Sequence, residues 1–343
     1  EATWGLPYLG VPVPTGFDGQ ELASGVANGT FIYMAIRRGP MATPTSRSSV
    51  FAINNRNSTG SSIDITSNFP VDWFFTKTRG SAYGFQQLSR LQGNAARLGF
   101  YGTFAEQTDP NFEFDHNNKV VAGSDSSIGI NRSGDNNIDY MFRRAPNFFE
   151  AVAYMGNGSA GRQINHNLAV APEMIIVKLR TSYADSWMVY HSGLATNHNL
   201  VLNGTDATGE YARVYSPSST IFTVSSDTSV NSNSLKYIAY LFATLAGISK
   251  VGSFSHTNGS STDVDCGFSS GSSFVIVKRY DSTGDWYVWD STRGIVSGND
   301  PYVLLNSSAA EVTNTDYIDT LSSGFQIASG FTTGNYIFYA IAA

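Results

Sequence analysis

A chain of 343 residues is long enough for two or three domains, and 41% hydrophobic with 13% aromatic content argues against disorder. Charged residues make up only 14%, and a net charge of −6 with scattered lysines and arginines argues against nucleic acid as the main partner. A single cysteine, Cys266, excludes an intrachain disulfide framework and a cysteine-rich zinc site, and it reads as a small semi-buried residue.

No stretch approaches the roughly 18 apolar residues of a membrane span, so no membrane insertion is expected. No basic segment followed by an apolar one marks a signal peptide.

Along the chain the hydrophobic pattern repeats. The first landmark, Phe31-Ile32-Tyr33-Met34-Ala35-Ile36, matches Ile138-Asp139-Tyr140-Met141-Phe142, then Tyr237-Ile238-Ala239-Tyr240-Leu241-Phe242, then Tyr336-Ile337-Phe338-Tyr339-Ala340-Ile341. A second landmark recurs at Trp73-Phe74-Phe75-Thr76-Lys77, Met174-Ile175-Ile176-Val177-Lys178 and Phe274-Val275-Ile276-Val277-Lys278, its lysines 101 and 100 residues apart. A fixed period of this size marks tandem units, each long enough for its own core. The boundaries read as 1–44 (the end of a preceding repeat plus linker), 45–146, 147–247 and 248–343. On this reading the chain is a piece of a longer protein.

Within each unit, short β-rich runs alternate with turn signals. Residues 85–98 carry leucines at helical spacing, but Gly93-Asn94 limits this to a short turn of helix. In the unit 147–247, strands are expected at 151–155, 163–167, 174–178, 186–190, 199–203, 219–224 and 236–242. Asn157-Gly158 offers the positive φ of a hairpin turn between the first two, and Asn258-Gly259 repeats it. About seven strands per hundred residues without crossover helices predict an all-β fold of tandem antiparallel β-sandwich, jelly-roll-like repeats. Trp187 and Trp286, with Phe85 as their counterpart, are expected to anchor the core of each sandwich. The short joints at 39–45, 145–147 and 244–247 predict units that touch at semi-fixed angles, a stiff rod of beads.

Chemistry is sparse. His116, His166, His191, His198 and His256 form no metal-ligand spacing and read as ordinary surface or half-buried residues. No nucleophile elbow or phosphate loop is present. Asp263 and Asp265 share a strand face about 7 Å apart, a distance open to a glycosidase pair but typical of a solvated strand. Residues 131–135 and 281–285 place oxygen side chains as in calcium loops, yet lack a downstream bidentate Glu and read as Asx turns. Lys77 with Arg79, Lys178 with Arg180, and Lys278 with Arg279 recur, which predicts a scaffold role such as pairing with an acidic turn. Arg37-Arg38 and Arg143-Arg144 end two units and either bridge to the next unit or are solvated.

The runs Gly284-Asp285-Trp286-Tyr287-Val288-Trp289-Asp290, Leu304-Leu305-Asn306-Ser307-Ser308-Ala309-Ala310-Glu311 and Tyr336-Ile337-Phe338-Tyr339-Ala340-Ile341 resemble a β-rich repeat domain of tail fibre and other structural proteins of tailed bacteriophages. Ala171-Pro172-Glu173-Met174-Ile175-Ile176-Val177-Lys178 and Ile32-Tyr33-Met34-Ala35-Ile36-Arg37-Arg38-Gly39-Pro40 resemble it too. The resemblance implies a virion (tail) structural protein, a fibre rod mediating host attachment. It also implies self-association as a homotrimer, other tail proteins as partners, and a host-surface glycan or protein receptor. It supplies no catalytic, cofactor or metal residues, so the chain is not expected to be an enzyme. Alternatives are a head decoration or head-fibre protein, and a glycan-binding module with Tyr211, Tyr215 or Tyr302 stacking on sugars. A depolymerase using Asp265 ranks last.

Overall fold

A computed structural model describes residues 41–343 except 94–95, 109–110, 125–128 and 182–183, together with the backbone of 11–13 and 16–18. The landmark at 31–36 and the pair Arg37-Arg38 lie outside the described residues. The fold is nearly all β, with 44% strand and 3% helix. The 85–98 stretch contains one 3-10 turn, Arg90–Gln92, where the Ser89 hydroxyl accepts from the Leu91 N–H. On either side Leu88 and Leu98 belong to strands, because burial in a sheet outweighs helical spacing.

Three strand sets follow one plan. In the middle set, Phe149–Met155 pairs with Lys236–Phe242, which pairs with Met174–Leu179, then Met188–His191, His198–Val201 and Gly209–Glu210. A second sheet joins Arg162–Asn165, Ile221–Val224 and Val214–Tyr215. The first strand thus pairs with the last, and the second with the last but one, the nesting of a rolled hairpin. The sets from Phe51 to Phe142 and from Ser249 to Ala342 repeat this nesting. Each set is a two-layer lobe; the three are called lobes 1, 2 and 3 in chain order.

The expected hairpin at Asn157-Gly158 is not one. Gly158 has φ 71° and Gly259 φ 93°, as a tight turn requires. The turn, however, carries the chain from the large sheet to the small one, so the flanking strands lie in different layers. Turn chemistry sets the local bend, and the choice of partner is made by burial of the strands that follow.

Each lobe has an interior between its two sheets. In lobe 2 it is formed by Val152, Ile164, Val177, Phe222 and Leu241. Lobes 1 and 3 have equivalents around Phe74 and Met141, and around Val277 and Phe325. The outward face of each large sheet is also apolar. Phe75, Tyr140 and Phe142 of lobe 1, Ile176, Tyr240 and Phe242 of lobe 2, and Ile276, Tyr339 and Ile341 of lobe 3 form one cluster. The large sheets therefore pack against each other around a shared core. This corrects the rod of separate beads: lobe 1 touches lobe 3. An apolar gap of about 10 Å³ lies among Phe75, Phe100, Ile176, Leu202, Ile276 and Leu305 of all three lobes.

Three joints of one kind close the ring. Lys178 Nζ donates to Thr103 O, Lys278 Nζ to Thr205 O and Lys77 Nζ to Ser308 O, each at 2.9 Å. Lobe 2 thus binds lobe 1, lobe 3 binds lobe 2, and lobe 1 binds lobe 3. A head-to-tail contact repeated with rotation either closes or grows a filament; here it closes within one chain. Each ammonium also bonds to a carbonyl of its own lobe: Tyr83, Asp185 or Gly284. Burial pushes Lys77 down to about 7, and Lys178 and Lys278 to about 8. Arg180 pairs with Glu106 at 2.6 Å, and Arg79 with Glu311 at 2.8 Å. The acidic turns expected for these arginines exist, but on neighbouring lobes. At the third joint Tyr280 and Thr208 take the place of arginine and acid, keeping only the main-chain bond Thr208 N to Tyr280 O of 2.9 Å.

The tryptophans belong to these joints as well. Trp187 Nε1 donates to Gly99 O at 2.9 Å and Trp286 Nε1 to Val201 O at 3.0 Å. Trp187, Trp286 and Phe85 are buried in the shared core, not in the cores of their own sandwiches as expected. Phe85 does occupy the corresponding place, since Phe100 N, Leu202 N and Leu305 N bond to Phe85 O, Trp187 O and Trp286 O.

His191 ties lobe 2 to lobe 3. Its Nδ1 accepts from the Gly193 N–H (3.0 Å), so the proton sits on Nε2, which faces Phe338 O at 3.3 Å. Burial pushes this imidazole down to about 4 from its ordinary 6.5. Between pH 6.5 and 4 the unfolded chain holds a proton that the folded chain does not, so stability is lost as pH falls across that window. Burial lowers His166 and His256 too, adding the same sign, while the raised carboxyl of Asp300 opposes it. Urea midpoints from pH 7 to 4 are expected to fall less steeply in His191→Gln than in the natural chain.

Candidate functional site

Lobe 3 departs from the common plan at its open edge. Beyond the short strand Val303–Leu304, the sixth-strand pairing seen in lobe 2, Asn199 with Gly209, is reduced to one bridge, Tyr302 with Val312. Tyr302 closes that edge through reciprocal 3.0 Å bonds with Val312. Strand Trp286–Asp290 alternates, so Trp286 faces the shared core while Tyr287 and Trp289 face the small sheet. Tyr317 arrives just before strand Ile318–Leu321.

These elements bring three half-buried tyrosines together. Ring centroids are 5.1 Å apart for Tyr287 and Tyr302, and 6.0 Å for Tyr302 and Tyr317, the latter pair stacked at 22°. Buried Trp289 and Phe331 form the floor. Burial and neighbouring hydroxyls raise the Tyr287 and Tyr302 phenols, so both stay neutral donors and acceptors near pH 7. Asp285 lies near Tyr287 and Tyr302 and raises both phenols further, while Asp300, Asp316 and Asp319 form an acidic group of their own. Asp300 is fully buried, and burial pushes it up to about 6, with Asp319 and Asp316 adding to the rise. The shelf thus offers aromatic faces with phenol hydroxyls and the Asp285 carboxylate nearby, a combination that suits a polyhydroxylated ligand.

Of the tyrosines singled out from sequence, only Tyr302 joins this shelf. Tyr211 is 47% exposed on lobe 2, its ring covered on one side by the Arg213 guanidinium at 4.6 Å. Tyr215 lies half-buried on the small sheet of lobe 2, and among the described residues neither makes a ring contact with Tyr302. Tyr287 and Tyr317 were missed. The available signal was that Tyr287 is aromatic where the corresponding strand positions hold Met188 and Gln86.

The other candidates have structural partners. Asp263 accepts from Gln326 at 2.5 Å and Asp265 from Gly267 N at 2.8 Å, on the exposed face of a small sheet. Asn131 pins the turn at Ser61 and Gly123 through their carbonyls. Asp281 accepts from Arg279 (2.7 Å) and Asn335 N (3.0 Å). Burial pushes the Cys266 thiol up to about 12. His116 lies 3.3 Å from Glu113, and His198 bonds to Thr196 O. Among the described residues no three His, Cys, Asp or Glu side chains converge to hold a metal ion.

No curated protein matches the chain. A family model does: residues 47–343, which span all three lobes, match the domain of unknown function DUF7483. With most of its length inside that match, the chain belongs to the DUF7483 family.

Proposed function

We propose that the chain is a non-catalytic attachment module, a rigid three-lobed scaffold that presents the Tyr287–Tyr302–Tyr317 shelf to a surface glycan. The observation that carries this reading is the shelf itself, an aromatic cluster of lobe 3 on a scaffold whose deeply buried lysines and arginines serve the joints. Replacing Tyr302 or Tyr317 with alanine is expected to weaken glycan binding about tenfold or more. A glycan array with the natural chain and both variants checks it. No binding by the natural chain, or equal binding by the variants at unchanged melting midpoint, contradicts it.

The place of such a module on a virion follows from the resemblance to phage structural proteins. Here the closed ring favours a terminal knob or surface decoration over a shaft segment. A shaft needs two opposed joining faces, and the repeated joint is used up inside the ring. One chain already supplies three lobes, so this reading does not require a homotrimer. Antibody labelling of particles along a fibre shaft would oppose it.

A further inference from the structure

A second concave site lies on lobe 1, away from the shelf. Residues 41–45 and 143–145, with Ser49 and Val50, enclose about 230 Å³. The wall at 41–45 is held by Asn147 Nδ2, which donates to Thr43 Oγ1 at 3.1 Å. Two adjacent arginines border the cavity with opposite status. Arg144 is paired with two carboxylates: Asp72 lies 3.2 Å from its Nε and Glu150 3.5 Å from its Nη1. Thus Arg144 does bridge to the next lobe. Arg143 is half-buried, and among the described residues its guanidinium makes no hydrogen bond or ion pair.

The fold does not require Arg143. Its main-chain N–H bonds to Val50 O at 2.9 Å, and the same bond recurs from Ala243 to Phe148 O and from Ala342 to Ile248 O. Alanine therefore serves in lobes 2 and 3 where lobe 1 carries a cation. Arg143 thus presents a cation at the cavity with no counter-charge among the described residues, a place an anion can fill.

We propose that this cavity binds a carboxylated monosaccharide, with Arg143 holding the carboxylate through its planar fork. The space exceeds what a bare inorganic anion fills, and falls below the roughly 300 Å³ at which drug-sized sites begin. Thr45 offers a hydroxyl to the sugar and Ser49, whose hydroxyl donates to Ser46 O at 2.7 Å, an acceptor oxygen; Pro44 and Val50 give an apolar wall for its C–H face. The site is independent of the tyrosine shelf and stands if the shelf fails its test.

Ligand-observed NMR on the full chain with glucuronate, N-acetylneuraminate, glucose and inorganic phosphate tests this. Saturable binding of at least one sugar acid is expected, with glucose and phosphate about tenfold weaker or worse. Arg143→Ala should weaken the acid about tenfold at an unchanged melting midpoint; Arg143→Gln, which keeps side-chain length, should do the same. The proposal is overturned if neither acid binds, if glucose or phosphate binds equally well, or if both variants bind like the natural chain.

Discussion

Replacing Arg293 with alanine is expected to destabilise the protein by about 3–5 kcal/mol, the range for breaking a buried ion pair from one side. Arg293 is fully buried between lobes 3 and 1. Its Nε donates to Asp290 Oδ2 at 2.5 Å, its Nη1 to Glu311 Oε1 at 3.2 Å, and its Nη2 to Val288 O at 2.9 Å and the Tyr140 hydroxyl at 3.2 Å. That hydroxyl donates in turn to Asp290 at 2.7 Å across the joint. Burial alone would lower the guanidinium pKa, but Asp290, Tyr140 and Glu311 outweigh it and raise it. Alanine would leave the fully buried Asp290 carboxylate without its counter-charge. Tyr140→Phe, which removes the hydroxyl's two bonds but leaves the ion pair, should cost less, about 1–3 kcal/mol. Urea unfolding at pH 7 measures both. A loss under 1 kcal/mol in Arg293→Ala would mean the joint is open in solution.

The second large effect is expected at Trp187. Truncating a fully buried tryptophan to alanine costs about 3–5 kcal/mol through lost burial and the cavity left behind. Trp187→Phe should be much milder, because lobe 1 uses Phe85 at this place; the remaining cost is the unpaired Gly99 carbonyl, about 1–3 kcal/mol. In a protein with one shared core, either substitution lowers a single cooperative transition. Separate beads would instead show one weakened transition beside two unchanged ones.

The strands were legible because their apolar runs recur in order, and Phe85 was picked as the counterpart of two tryptophans although it heads a stretch with helical spacing. The closed ring was not read, although its signal was present. Met174–Leu179 and Lys236–Phe242 are near-continuous apolar runs, the pattern of strands buried on both faces. Sheets with one solvated face would alternate. Lys77, Lys178 and Lys278 were read as scaffold from their repetition, but their partners are carbonyls on turns about 70 or more residues away in sequence. No local pattern announces such contacts. For the tyrosine shelf, Tyr302 could be picked as a tyrosine near a turn. Tyr287 and Tyr317 join it through strand pairing and the loop before Ile318, which are tertiary facts.

The distance between lobes 1 and 3 tests the ring most directly. Gly80 and Ala310 are exposed and flank the Arg79–Glu311 contact, where Glu311 N meets Arg79 O at 2.8 Å. A side chain added at Gly80 meets nothing within 4 Å. Spin labels at Gly80→Cys and Ala310→Cys, with the buried Cys266 left unlabelled, give that distance by pulsed electron paramagnetic resonance. The closed ring predicts a narrow distribution below about 25 Å. A row of beads, each of about 13 Å radius of gyration, would put the centres of lobes 1 and 3 roughly 65 Å apart. A distribution centred there would contradict the shared core.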